Sequence, residues 1–313
     1  MGNTCFLNSA LQILAALYAN KVEEATKTLT DKQAKQLAVT CHKVIEGINA
    51  NEFVKSKTVQ DFIDVLKDVS KNNPRFTFGS QNDAGEALTY IFDTLGFPSV
   101  TLTKEAKPKK PKKNSDTWKT PSGTDKVCVL RLPMINVSLD ESSTMKNKSI
   151  NTKQSINMKA LWDDYSKNGE IDWRYYGDDK ASVMCHARIQ ITGLKKLANG
   201  IIPIQCHRSY TGSVKIRIPS RLNWIFGGYF KSFDADQFRI NTKIKDAFTL
   251  EIQVKTRHLI GFVIQSGGVS GGHYVAWVCK GGKWYLTDDS RVREKTEEEA
   301  KEAAEDGYLF FYK

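Results

Sequence analysis

Apolar positions in the first hundred residues recur at helical spacing. Leu7, Ala10, Leu11, Leu14, Leu17 and Tyr18 make one stripe, and Leu37, Ala38, Cys41, Val44, Ile45 and Ile48 a second. Thr58 with Asp61 reads as a helix start before Val59, Phe62, Ile63 and Leu66. Ser80 with Asp83 opens another helix through Ala84, Ala87, Leu88, Ile91 and Leu95, which Gly96 and Pro98 close. From Val127 onward the period changes to that of strands. Val127–Leu132, Val183–Thr192, Gly200–Cys206, Val214–Ile218, Leu250–Val254, Leu259–Gln265, Tyr274–Cys279, Trp284–Thr287 and Tyr308–Tyr312 alternate and are rich in β-branched and aromatic residues. Short helices are expected over Asn157–Tyr165 and Thr296–Glu305, the second with a Thr296/Glu299 capping box. Helices followed by an antiparallel sheet imply an α+β fold.

The stretch Lys104–Asp116 breaks both patterns. It holds Lys107-Pro108-Lys109-Lys110-Pro111-Lys112-Lys113 and no core residue, so residues 101–126 are expected to be a basic linker or loop. Lys146–Gln154 is polar and expected to be loop-like. The lysine run also permits a nuclear-localisation reading, which ranks behind that of a solvated loop.

The chain has 313 residues and a net charge of +11. That charge would suit nucleic acid, but no basic helix with interleaved aromatics accompanies it, so a lysine-rich solvated surface is the better reading. Six cysteines, Cys5, Cys41, Cys128, Cys185, Cys206 and Cys279, form no C-x-x-C pair, so no zinc ribbon or other metal site is expected. Scattered thiols suit a reducing compartment, which puts the protein in the cytoplasm, with the nucleus allowed by the lysine run. No apolar run is long enough to span a membrane as a helix.

Two stretches carry candidate chemistry. Gly2, Asn3 and Thr4 are turn and cap residues, so the first helix should begin at or beside Cys5. The positive end of the helix dipole favours a thiolate there. A lone cysteine at a helix mouth is more often an inert core residue, and a histidine from elsewhere is needed to change that reading. Gly267–Gly272 is a glycine-rich turn leading to His273 at the start of a strand. The tight turn Lys280-Gly281-Gly282 joins that strand to the next, which ends in Asp288-Asp289, so a hairpin sets Asp288 beside His273. Nucleophile, base and orienting carboxylate are the requirements of a thiol protease.

These residues carry a family resemblance. Gly2-Asn3-Thr4-Cys5-Phe6-Leu7-Asn8-Ser9 resembles the cysteine box of the ubiquitin-specific proteases, and Gly271-Gly272-His273-Tyr274 with Trp284–Asp289 resembles their histidine box. Weaker blocks, Ser80–Leu88, Leu197–Gln205 and Gly307–Tyr312, follow the family order along nearly the whole chain. The resemblance implies a papain-like fold forming a single catalytic domain. Residues 1–100 would be a helical thumb, 101–126 the basic linker, and 127–313 an antiparallel palm and fingers. It implies a deubiquitinase that cleaves after the C-terminal glycine of ubiquitin, with Cys5 as nucleophile, His273 as base, Asp288 as its orienting group and Asp289 as helper or substitute. It places Asp83, Glu86, Gly272 and Tyr274 at the arginine-containing ubiquitin tail. First-turn acidic residues such as Asp83 and Glu86 are equally ordinary helix-dipole partners. The expected partners are ubiquitin and ubiquitinated proteins, met by a monomer without cofactor or metal. The family's oxyanion asparagine falls before Met1, which leaves Asn3 and Asn8 as the side-chain amides near the thiol. A catalytically weak ubiquitin-binding module and a protease for another ubiquitin-like modifier are the alternative readings.

Overall fold

The computed structural model describes residues 4–50, 54–71, 82–110, 117–120, 124–134, 144–146, 149–167, 169–173, 183–218, 229–267 and 272–313. Asn3 and Ser80 lie outside them, as do most of the glycine-rich turn and residues 111–116 of the lysine run.

The thumb is made of α1 (Cys5–Leu17), α2 (Ala19–Thr28), α3 (Lys32–Asn49), α4 (Ser56–Ser70) and α5 (Ala84–Thr94). Helix α1 buries more than the single stripe in its sequence. Phe6, Ile13 and Ala15 are covered as well as Leu7, Leu11 and Leu14, so α1 runs through the core with its N-terminus at one edge. Helix α4 starts at Ser56, two residues before the expected Thr58. The N-cap of α5 is Asp83, whose carboxylate accepts the Glu86 N–H at 2.9 Å. Gly96, with φ of +67°, closes that helix in the left-handed conformation that glycine takes without penalty. No helix among the described residues is long and apolar enough to cross a membrane.

Among the described residues sixteen strands make three sheets. The palm contains β15 (Arg291–Lys295), β14 (Lys283–Asp288), β13 (Gly272–Lys280), β12 (Lys255–Gly267), β16 (Gly307–Tyr312), β8 (Ile202–His207) and β3 (Leu130–Pro133) in that order, with β11 (Thr249–Ile252) beside β12. Alternation along its strands divides the core. Tyr274, Ala276, Val278, Leu309 and Phe311 face the thumb helices. Phe262, Trp277, Trp284, Phe310 and Tyr312 face the other way, toward α6 (Met158–Lys167) and α7 (Glu297–Ala304). The Thr296/Glu299 capping box is present at α7.

Two further sheets extend from this body. One has the order β2 (Thr124–Val127), β1 (Val100–Pro108), β7 (Val183–Thr192), β6 (Gly169–Trp173). The other, the finger sheet, has the order β4 (Thr144–Lys146), β5 (Ser149–Asn157), β10 (Tyr229–Lys245), β9 (Ser209–Ile218). Two expectations are corrected here. The basic linker over 101–126 is in part strand: β1 spans eight antiparallel pairs with β7, and its lysines decorate a ladder that backbone bonds hold together. The polar stretch 146–154 contributes most of β5. The sheets are mainly antiparallel, as the α+β reading expects, with β3–β8 and β5–β10 running parallel.

The β11–β12 hairpin closes on Gln253 and Val254, both at positive φ (50° and 61°), and Val254 is 91% exposed. A β-branched residue in this conformation is strained, by about 1–2 kcal/mol over glycine's steric freedom, less about 0.5–1 kcal/mol for glycine's greater entropy loss. Val254→Gly should therefore stabilise the protein by up to about 1 kcal/mol and raise Tm by about 2 °C. A lowered Tm in thermal unfolding would contradict this account of the turn.

Candidate active site

Thr4 caps α1 by geometry alone. Its carbonyl accepts the Leu7 and Asn8 N–H groups at 3.0 and 2.9 Å, and its side chain makes no capping bond. Cys5 is the first helical residue and is half-buried. Helix α1 packs along β13, and the Cys5 thiol lies 3.9 Å from the Gly272 carbonyl oxygen, one residue before His273.

The hairpin expected from the Lys280-Gly281-Gly282 turn is formed. Lys280 pairs with Lys283, and Gly281 and Gly282 take positive φ as a two-residue turn requires. The strand after it ends at Asp288, whose Oδ1 lies 2.6 Å from His273 Nε2. An ionised carboxylate only accepts, so Nε2 carries the proton and Nδ1 is left as the basic nitrogen.

Asp289 is placed differently, for a local reason. Asp288 pairs with Arg291, so Asp289 and Ser290 form the next two-residue turn, and Asp289 adopts φ of +51°, a conformation aspartate tolerates. Its carboxylate turns away from strand β14 and accepts from Asn8 Nδ2 at 2.7 Å. The two neighbouring aspartates therefore have separate partners: Asp288 meets the imidazole, and Asp289 meets the helix that carries Cys5. Asn8 is thereby committed to Asp289. Among the described residues His273, Asp288 and Asp289 also form the one group spaced for a metal, their ligand atoms all within 4.8 Å. The hydrogen bonds to His273 and Asn8 account for that proximity.

A second cluster sits at the start of α5. Asp83 Oδ1 accepts from the Glu86 N–H, from the Tyr308 hydroxyl, and from Gln205 Nε2 at 3.4 Å. Gln205 also donates to the Tyr308 oxygen at 2.9 Å, and the Gly85 N–H donates to the same oxygen at 3.1 Å. Burial and the Asp83 charge push the Tyr308 phenol well above its usual range, so it stays a donor. Gly85 is required here: a Cβ would come within 2.8 Å of the Tyr308 hydroxyl and 2.9 Å of the Gln205 side chain. Tyr274 is 2% exposed, and its ring lies 6.1 Å from that of Tyr308, beside the start of α5. Glu86 lies in the first turn of α5, and Gly272 begins β13. Tyr308 and Gln205 are absent from the site residues expected from the sequence. Their signal is a polar group inside an apolar run, which must find a partner when buried.

The sequence matches the ubiquitin carboxyl-terminal hydrolase family over residues 1–312. The chain belongs to that family. As a member of the ubiquitin carboxyl-terminal hydrolases it is a cysteine-type deubiquitinase. Ubiquitin carboxyl-terminal hydrolase 8 of Saccharomyces cerevisiae is 25% identical over an alignment covering 100% of this chain and 69% of that protein. Ubiquitin carboxyl-terminal hydrolase 25 of Arabidopsis thaliana is 23% identical, and this chain spans 46% of its length. Among solved structures, a SAGA deubiquitinating module containing Ubp8, Sgf11, Sus1 and Sgf73 bound to monoubiquitin superposes with a TM-score of 0.67, at 17% identity, over 100% of this chain and 67% of that one. The same module bound to ubiquitin aldehyde gives 0.62. The α+β hydrolase fold of the family is thus shared along the whole chain.

Proposed function

We propose that Cys5, His273 and Asp288 are the catalytic triad of this hydrolase. The Cys5 sulfur attacks the carbonyl carbon of the C-terminal glycine of ubiquitin, and His273 Nδ1 takes the thiol proton. The tetrahedral intermediate collapses to a thioester as His273 gives that proton to the leaving amine. Water, deprotonated by the same imidazole, then cleaves the thioester and restores the thiol. Asp288 holds the ring so that Nδ1 remains basic. The observation carrying this reading is the 2.6 Å His273–Asp288 bond on the hairpin against which the Cys5 helix packs. The oxyanion would meet the N-terminal end of α1, at the positive end of its dipole, where the Cys5 N–H has no acceptor within the helix. Asn8 is not offered this role, because its amide is held by Asp289. The three groups come from one chain, which supports action as a monomer.

Tail recognition falls to Asp83. Its Oδ1 is taken by internal donors, while Oδ2 has no donor among the described residues and the residue is half-exposed. One oxygen thus anchors the carboxylate, and the other is available to an arginine of the ubiquitin tail. Asp83→Asn keeps a capping oxygen and removes the charge. It should lower kcat/KM for a ubiquitin C-terminal fluorogenic substrate on the order of 10–100-fold, mainly through KM. A loss confined to kcat would refute the tail assignment, and no turnover by the parent protein would refute the proposed function.

A further inference from the structure

Arg239 lies in β10 where the finger sheet meets the palm and is 2% exposed. Its Nε donates to Asn241 Oδ1 at 2.6 Å, its Nη2 donates to the Gln265 carbonyl at 2.9 Å, and its Nη1 donates to Gln265 Oε1. All three acceptors are neutral. A guanidinium stays charged in a protein, and burying it without a carboxylate partner is costly. Burial pulls its pKa below the usual arginine range, and Tyr274, Tyr308 and Asp83 oppose that pull, so the Asp83 cluster lies within its field.

Gln265 is the cross-strand partner of Tyr274, and Ser266 that of His273. Contact between the strands is tight at this point. A Cβ on Gly272 would lie 2.2 Å from the Ser266 carbonyl oxygen, so any shift of Gln265 and Ser266 is passed to Gly272 and His273. We infer that Arg239 is a positioning residue for His273: by clamping the backbone and side-chain oxygens of Gln265 it fixes the end of β12, and with it the place where β13 delivers the imidazole. The guanidinium suits the task because its rigid planar fork holds both oxygens in a fixed geometry, whereas a lysine ammonium offers a single rotating centre on a flexible stem. Seated between the finger sheet and the palm, the clamp also makes the catalytic geometry depend on how the fingers are docked. The inference rests on His273 being the base.

The test is steady-state kinetics of Arg239→Met, Arg239→Lys, Gln265→Ala and the Arg239→Met/Gln265→Ala double variant with a ubiquitin C-terminal fluorogenic substrate. Each is normalised to the fraction of Cys5 titrated by a ubiquitin bearing a C-terminal electrophile. Misplacing the imidazole should lower kcat per titrated site about tenfold in Arg239→Met while KM changes by less than about twofold. Arg239→Lys should fall between this variant and the parent, and the double variant should be no worse than the poorer single one. An unchanged kcat per titrated site would overturn the inference, because a merely structural arginine lowers only the active fraction. So would a rise in KM alone. Should Arg239→Met fail to fold, Arg239→Lys and Gln265→Ala decide in the same way. A parent protein with no turnover would instead overturn the triad itself.

Discussion

Replacing His273 with alanine should lower kcat by about two to four orders of magnitude, the range that a positioned general base contributes. The loss follows from the chemistry of both half-reactions. The imidazole takes the proton from Cys5, returns one to the leaving amine and later activates water, so no step of the cycle proceeds normally without it. Folding should survive the change. The His273 side chain is 46% exposed and among the described residues its one side-chain hydrogen bond is to Asp288, itself 38% exposed, so little buried structure depends on it. The expected result is near-complete loss of hydrolysis with Tm close to that of the parent. Activity within about tenfold of the parent would remove His273 from the role of base.

The second large effect separates two adjacent carboxylates. Asp288→Ala should cost on the order of 10²–10⁴ in kcat, because the imidazole loses the partner that fixes its tautomer and direction. Asp289→Ala should cost on the order of tenfold, because it releases Asn8 and loosens the approach of α1 to the hairpin but leaves the His273–Asp288 bond in place. The ranking follows from backbone conformation. Asp288 ends a strand, while Asp289 occupies a left-handed turn position that points its carboxylate to another partner. Asn8→Ala should resemble Asp289→Ala, and the double variant should match either single one, since both delete the same hydrogen bond. A larger loss in Asp289→Ala than in Asp288→Ala would make Asp289 the orienting group.

The sequence made the catalytic hairpin legible because its geometry is local. Gly281 and Gly282 dictate a two-residue turn, that turn fixes the register of β13 and β14, and the register brings Asp288 to His273. The helix start at Cys5 was legible for the same reason. What was not legible depends on contacts between distant segments. Strand β10 pairs with β9 and, in parallel, with β5 from much earlier in the chain, and that pairing, not a local period, makes it a strand. Strand β1 reads as linker because lysines mark solvent exposure, and the exposed face of a paired strand is as lysine-rich as a loop. Asn8 looked like a free amide near the thiol until the chain returned, 281 positions later, with Asp289 to hold it. Tyr308 and Gln205 became part of the Asp83 cluster only when β16 and β8 paired beside α5.

Hydrolysis by this site requires Cys5 to be the nucleophile and ubiquitin's C-terminus to reach it. The most direct measurement is covalent capture by ubiquitin carrying an electrophile in place of its terminal carboxylate, followed by peptide mapping. One ubiquitin per chain should attach at Cys5, and Cys5→Ala should give no adduct. Of the other thiols Cys41, Cys128, Cys185 and Cys206 are buried, and the Cys41, Cys128 and Cys206 thiols are pushed up to about 12 by burial, so they should not compete. No adduct on the parent protein, or an adduct that persists in Cys5→Ala, would contradict the account.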